Sequence, residues 1–302
     1  MRLGANSDVE GAVGQWPTVS VRAWGDQGEA IRAASPEWSQ WEEAKGAEAA
    51  RMTGAIRIGI GGWTFEPWRG VFYPDGLTQK KELHYASRAL NSIEINGTYY
   101  STFKETSWSH WRDETPDDFV FAVKASRFVT NRKDLTTAGE GVERFLGQGL
   151  TLLGPKLGPI NWQLMGTKKF NAEEMAGFLK LLPREKDGIP LRHAIEARHE
   201  SFKTEAFYDL VRKHGAAVVL DLGGEYPEID VDSADFRFAR FMATSESEAS
   251  GVTAEELKAL TKRVKGWAKT HDVFAYFISG AKVRNPAAAQ ALMTATGVKR
   301  GG

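Results

Sequence analysis

Eight short apolar stretches recur along the chain: IRIGI (56–60), SIEIN (92–96), VFAVK (120–124), INWQL (160–164), HAIEAR (193–198), VVLDL (218–222), FRFARF (236–241) and VFAYFI (273–278). They are short, rich in β-branched and aromatic residues, and read as buried strands. Segments with helical spacing or helix-start residues separate most of them. A helix is predicted over 82–90, and another over 105–112 with Thr106 or Ser107 as cap. A third spans 139–153. Asn171 caps 172–182, with Glu174 at capping-box spacing. Thr204 caps 205–214, and Thr253 caps 254–269 with Glu256 three residues on. Asn285-Pro286 opens the last helix, Pro at its first position. Strand and helix alternating eight times predicts an α/β fold, a TIM-like (β/α)8 parallel barrel.

In such a barrel the C-terminal strand ends converge on one mouth. The polar residues there are Glu94, Asn96, Lys124, Gln163, Glu196, Arg198 and Asp221. Side chains two apart share a strand face, so Glu94 pairs with Asn96, Asn161 with Gln163, and Glu196 with Arg198. A buried carboxylate needs a partner, and Lys124 and Arg198 are the expected ones. One reading is a salt-bridge network that closes the barrel top. The other is a mixed-charge pocket for a small anionic or sugar-like molecule, either converted by acid–base chemistry or, in a non-enzymatic protein, only bound. In that pocket Glu94 and Glu196 move protons and Lys124 binds an anion, which makes these three the candidate catalytic residues. Glu196, His199 and Asp221 offer an alternative on ligand type alone, a divalent-metal-dependent hydrolase or isomerase. No metal site is assigned, and the sequence identifies no cofactor. Aromatic residues crowd the first two strand-end loops, where Trp63 and Tyr99 are the leading candidates for a stacking wall. After the eighth strand, Ser279-Gly280-Ala281-Lys282 precedes a helix, where barrels often bind phosphate, although an ordinary glycine turn explains it equally well.

Composition narrows the field. The chain has 302 residues and no cysteine, which removes disulfides, thiolate catalysis and Cys-based metal sites and fits a reducing cytoplasm. Zero formal net charge argues against a broad nucleic-acid surface. No apolar run approaches the ~20 residues of a membrane span, and the first residues do not read as a signal peptide. The expected partner is a small molecule in the barrel mouth; oligomeric state is not legible. Residues 1–51 break the rhythm, with four of the ten tryptophans and a helix-forming composition only over 36–51. They read as an N-terminal extension, from an early start or as a loose arm, with the barrel domain over 52–302. The rival reading is a helix covering the barrel bottom.

Several motifs together carry a family resemblance: GGWTFEPWRGVFYPDGL (61–77), SIEINGTYY (92–100), TPDDFVFAVKA (115–125), LLGPKLGPINWQL (152–164) and EARHESF (196–202). From about residue 56 to 293 the chain resembles the YecE-like family, a domain of unknown function (DUF72). The resemblance implies a TIM-like barrel and a polar pocket, and no particular reaction. The family's shared polar positions fall on Trp63, Glu94, Asn96, Tyr100, Lys124, Gln163, Glu196, Arg198 and His199. Three places depart from the pattern: Leu164-Met165-Gly166 stands for Leu-Pro-Pro, Arg240-Phe241-Met242 for an Arg-x-His pair, and Ile278-Ser279 for an Asn pair. Tyr99, Asp221 and Arg240 complete the candidate substrate-binding set.

Overall fold

The computed structural model describes residues 54–301. The expectations for residues 1–51, including the helix at 36–51, lie outside the described residues. Eight strands form a closed, all-parallel barrel: β1 (Ile56–Gly61), β2 (Ser92–Ile95), β3 (Val120–Lys124), β4 (Leu157–Gln163), β7 (His193–Glu196), β8 (Ala217–Leu222), β9 (Phe236–Phe241) and β10 (Asp272–Phe277). Each predicted stretch supplies one strand. β1 closes the ring by pairing with both β10 and β2. Parallel barrel strands are buried on both faces, which is why they read as near-continuous apolar runs.

The two faces carry different cores. Ala122, Ala194, Ala217, Val219, Phe236, Phe238, Phe274 and Tyr276 pack together as one buried cluster, the barrel interior. Ile58, Ile60, Ile93, Phe121, Ile160 and Ile195 belong to the larger cluster between strands and helices. This fixes the phase of the alternation. The next inward position after Ala122 is Lys124, after Ala194 Glu196, after Val219 Asp221 and after Phe238 Arg240. The barrel interior is apolar at its middle and charged at its C-terminal end.

Helices α1 (Glu82–Ala89), α2 (Glu105–Glu114), α3 (Arg127–Thr130), α4 (Gly139–Leu146), α5 (Ala172–Lys180), α6 (Glu205–His214), α7 (Ala254–Trp267) and α8 (Asn285–Thr296) connect most of the strands, but the alternation is not strict: two helices lie between β3 and β4, and β8 runs to β9 without one. α2 starts without a side-chain cap; Thr106 and Ser107 already lie inside it. The helix expected over 139–153 stops at Leu146. Gly147 is its C-cap, and Gly149, with φ 101°, then leads into 3-10 turns from Leu150 to Lys156. Asn171 caps α5 by accepting from the Glu174 N–H at 2.9 Å. The Glu174 carboxylate does not close a capping box; it binds the Leu135 N–H and Lys168. Thr204 flanks α6 without bonding to it. At α8, Asn285 takes the first helical position and Pro286 follows it. An additional hairpin, β5 (Glu185–Lys186) with β6 (Ile189–Pro190), turns at Asp187-Gly188, both at positive φ. That dipeptide is a strong hairpin signal that the strand–helix rhythm overshadowed.

The capping box at α7 is complete, with the Thr253 hydroxyl and the Glu256 carboxylate each satisfying a backbone N–H. Thr253→Ala is expected to cost about 1 kcal/mol, read as a fall of about 2–4 °C in thermal midpoint. An unchanged midpoint would show the cap to be without weight. Among the described residues, no helix is long and apolar enough to cross a membrane.

Candidate functional site

Arg240, from β9, is the centre of the charged end of the barrel. It is 1% exposed, and its guanidinium lies between two fully buried glutamates from other strands. Nη1 donates to both carboxylate oxygens of Glu196 at 3.1 Å, and Nη2 donates to Glu94 Oε2 at 3.0 Å. The rigid fork of an arginine suits such a bridge. Asn161 joins the same two carboxylates, its Nδ2 lying 3.1 Å from Glu94 Oε1 and 2.8 Å from Glu196 Oε2. Gln163 and Arg198 each donate to Glu196 Oε1 at 2.6 Å. Below the cluster, the Tyr276 hydroxyl meets Ser92 Oγ at 2.7 Å.

The expected ion pairing is therefore half changed. Arg198 does pair with Glu196. Lys124 pairs with neither glutamate, because Arg240 already occupies the space between them. The Lys124 ammonium instead sits 4.5 Å from the centre of the Tyr99 ring. Arg198 in turn lies over Tyr226, 4.2 Å from the ring centre.

The titrating groups divide into two sets. Burial alone would raise Glu196, but Arg240, Arg198 and Lys124 outweigh it and hold the carboxyl below its ordinary range. Asp221 goes the other way. Burial, then repulsion from Glu196, lifts it to about 7, against the pull of Arg240 and Arg198. Neither of its buried oxygens has a hydrogen-bond partner among the described residues. Burial, reinforced by Arg240, brings Lys124 down to about 8 against the opposing effect of Glu196 and Glu94. A buried carboxylate saturated with donors is a fixed charge. A buried carboxyl and an amine that titrate near neutrality are groups able to exchange a proton.

The remaining candidates fall into separate places. Trp63 and Asn96 line a cavity of about 350 Å³ beside the ends of β1 and β2. Asn96 lies so close over Gly61 that a Cβ there would fall 2.6 Å from its Nδ2. Tyr100 is turned away from the mouth, 61% exposed, with the Arg127 guanidinium 5.4 Å from its ring centre. His199 Nδ1 accepts from the Ser201 N–H at 3.1 Å and caps the short turn Glu200–Phe202. Among the described residues, no group of three His, Asp or Glu side chains is placed to share a metal ion, so Glu196, His199 and Asp221 do not form a ligand set. Two contributors escaped the candidate set. Asn161 carried the signal, two residues before Gln163 on a strand. Tyr226 lies in the loop after β8 and carried none.

These features define a (β/α)8 barrel with a buried ion cluster under its C-terminal mouth. The model of the family described as protein of unknown function DUF72 matches residues 57–301, and the chain belongs to that family. It is 31% identical over 150 residues to the UPF0759 protein YecE of Escherichia coli K12, a match covering 49% of this chain and 50% of that one. The chain thus aligns with about half the length of that relative. Among solved structures, a DUF72 family protein from Thermotoga maritima MSB8 superposes with a TM-score of 0.64 at 24% identity, over 80% of this chain and 98% of that one. Another from Enterococcus faecalis V583 gives a TM-score of 0.62 at 17% identity, over 82% and 99%. At these identities the likeness concerns the fold.

Proposed function

We propose that the barrel mouth binds a small anionic or sugar-like molecule and carries out acid–base chemistry on it. The observation that carries this reading is Asp221, a buried carboxyl without a hydrogen-bond partner among the described residues, beside a cluster whose two glutamates are fully engaged. An unsatisfied buried carboxyl costs free energy that an apolar side chain would not, which favours a working site over a purely structural network. In this reading Lys124 and Asp221 exchange protons. Glu94 and Glu196 shape the field and hold the Arg240 and Arg198 guanidinium groups in place. With Asp221 protonated, three cationic side chains (Lys124, Arg198, Arg240) face two carboxylates (Glu94, Glu196). The mouth then carries one net positive charge and favours an anion.

A panel of sugar acids and sugar phosphates, incubated with the full chain and followed by NMR, tests the reading. A probe should be converted, and Lys124→Met and Asp221→Asn should each slow conversion by about 100-fold to 10,000-fold. Binding without conversion, weakened by the same variants, would leave a ligand-binding protein. Variants indistinguishable from wild type toward every bound probe would remove the mouth as the site.

A further inference from the structure

The cavity that holds Trp63 and Asn96 ends on a lysine that the charged cluster does not use. Lys282 follows β10 and lines the cavity together with Thr64, Phe103 and Trp111. It is only partly exposed and rests 4.3 Å from the Phe65 ring centre and 5.8 Å from that of Trp68. Among the described residues, no carboxylate reaches it. Contact with aromatic faces stabilises a cation but supplies no oxygen acceptor to its three N–H groups.

Its position is held firmly. The Lys282 carbonyl accepts from the Trp68 indole at 2.9 Å. The Thr244 hydroxyl lies within 3.1 Å of the Ser279 and Ala281 carbonyls and 2.7 Å from Asn285 Oδ1, which ties both sides of the turn. Gly280 makes the close approach possible: at φ 81°, a Cβ there would fall 2.3 Å from the Thr244 nitrogen. The amide of Asn96 supplies a second polar group. Among the described residues its buried Oδ1 has no partner, and its Nδ2 reaches only the Glu94 carbonyl, at 3.5 Å.

Aromatic walls, an amide with spare hydrogen-bonding capacity and a lysine without a carboxylate partner among the described residues line one cavity. The apolar face of a sugar ring packs on Trp63, its hydroxyl groups suit the Asn96 amide, and an anionic substituent suits Lys282. We infer that this cavity is the recognition subsite of the barrel mouth and takes a monosaccharide bearing one phosphate or carboxylate group, with the anion on Lys282 and the ring against Trp63. Asn96 lies two residues beyond Glu94, so a molecule seated here lies beside the ion cluster. The inference rests on the mouth being a ligand site.

Calorimetric titration of the full chain with glucose 6-phosphate, glucuronate, glucose and inorganic phosphate tests it. At least one anionic sugar should bind about tenfold or more tightly than glucose or inorganic phosphate. Lys282→Met should remove that advantage, and Lys282→Arg should restore most of it. Failure of both anionic sugars to bind, or binding indifferent to Lys282→Met, overturns the inference. Inorganic phosphate binding as tightly as glucose 6-phosphate overturns it too, since the ring would then contribute nothing. The two readings separate cleanly. Loss of binding in Lys124→Met with none in Lys282→Met keeps the mouth and removes this subsite. The converse keeps the subsite without the cluster.

Discussion

Replacing Arg240 with methionine is expected to remove about 3–5 kcal/mol of folding stability, the cost typical of breaking a buried charge pair by deleting one partner. The loss should appear as a drop on the order of 10 °C in thermal midpoint for a barrel of this size. The damage falls unevenly. Glu196 keeps Arg198, Gln163 and Asn161. Glu94 keeps only Asn161, so it becomes a nearly unpaired carboxylate at zero exposure. Two further variants check the mechanism. Arg240→Lys retains the charge but loses the fork, and should fall between wild type and methionine. Adding Glu94→Gln to Arg240→Met should recover part of the loss, because it removes the stranded charge. Wild-type stability in Arg240→Met would mean that the glutamates are not ionised together in the folded protein, and the electrostatic account of the mouth would fail.

Arg240 also shows where the sequence stops being informative. The eight strands were legible because strands buried on both faces leave unbroken apolar runs, and because strand ends in this architecture must meet. Partners across the barrel depend on the phase of each strand, which such runs conceal. β9 reads Phe-Arg-Phe-Ala-Arg-Phe, with Arg237 and Arg240 on opposite faces. Arg237 lies outside, against Asp230 and the Trp267 ring, and Arg240 lies inside between the glutamates. Only the packing of Phe236 and Phe238 in the barrel interior decides which is which. Lys124 and Arg198 were the natural partners by position; Arg198 does take Glu196, but the place Lys124 would need is filled by Arg240. The loops fail for a related reason. Beyond Ile95 the chain enters a 3-10 turn at Gly97–Tyr99, and the alternation of faces ends. Tyr99 then lies under Lys124 while its neighbour Tyr100 points outward.

Asp221→Asn should make the protein more stable above neutral pH, and the gain should depend on pH in a defined direction. The folded Asp221 holds its proton up to about pH 7, whereas an unfolded aspartate releases it near pH 4. Between those values the folded state binds more protons than the unfolded one, so the wild type loses stability as pH rises through the window. The contribution is fully present below about pH 4 and gone above the folded value. Three pK units set a ceiling of about 4 kcal/mol, and roughly 1–3 kcal/mol is expected once the opposing charges of Glu94, Glu196, Arg198 and Arg240 readjust. Asparagine keeps the shape and cannot ionise, so this slope disappears. Urea unfolding of both proteins at several pH values isolates the effect, since every other titrating group is common to the two. Curves separating only above about pH 5 would place the titration at Asp221, and parallel curves throughout would remove it as a proton-exchanging group. The variant is also expected to lose ligand-dependent chemistry while gaining stability. Arg240→Met loses stability whether or not the mouth binds anything, so a gain in stability coupled to a loss of function at Asp221 is what separates a working site from a structural ion network.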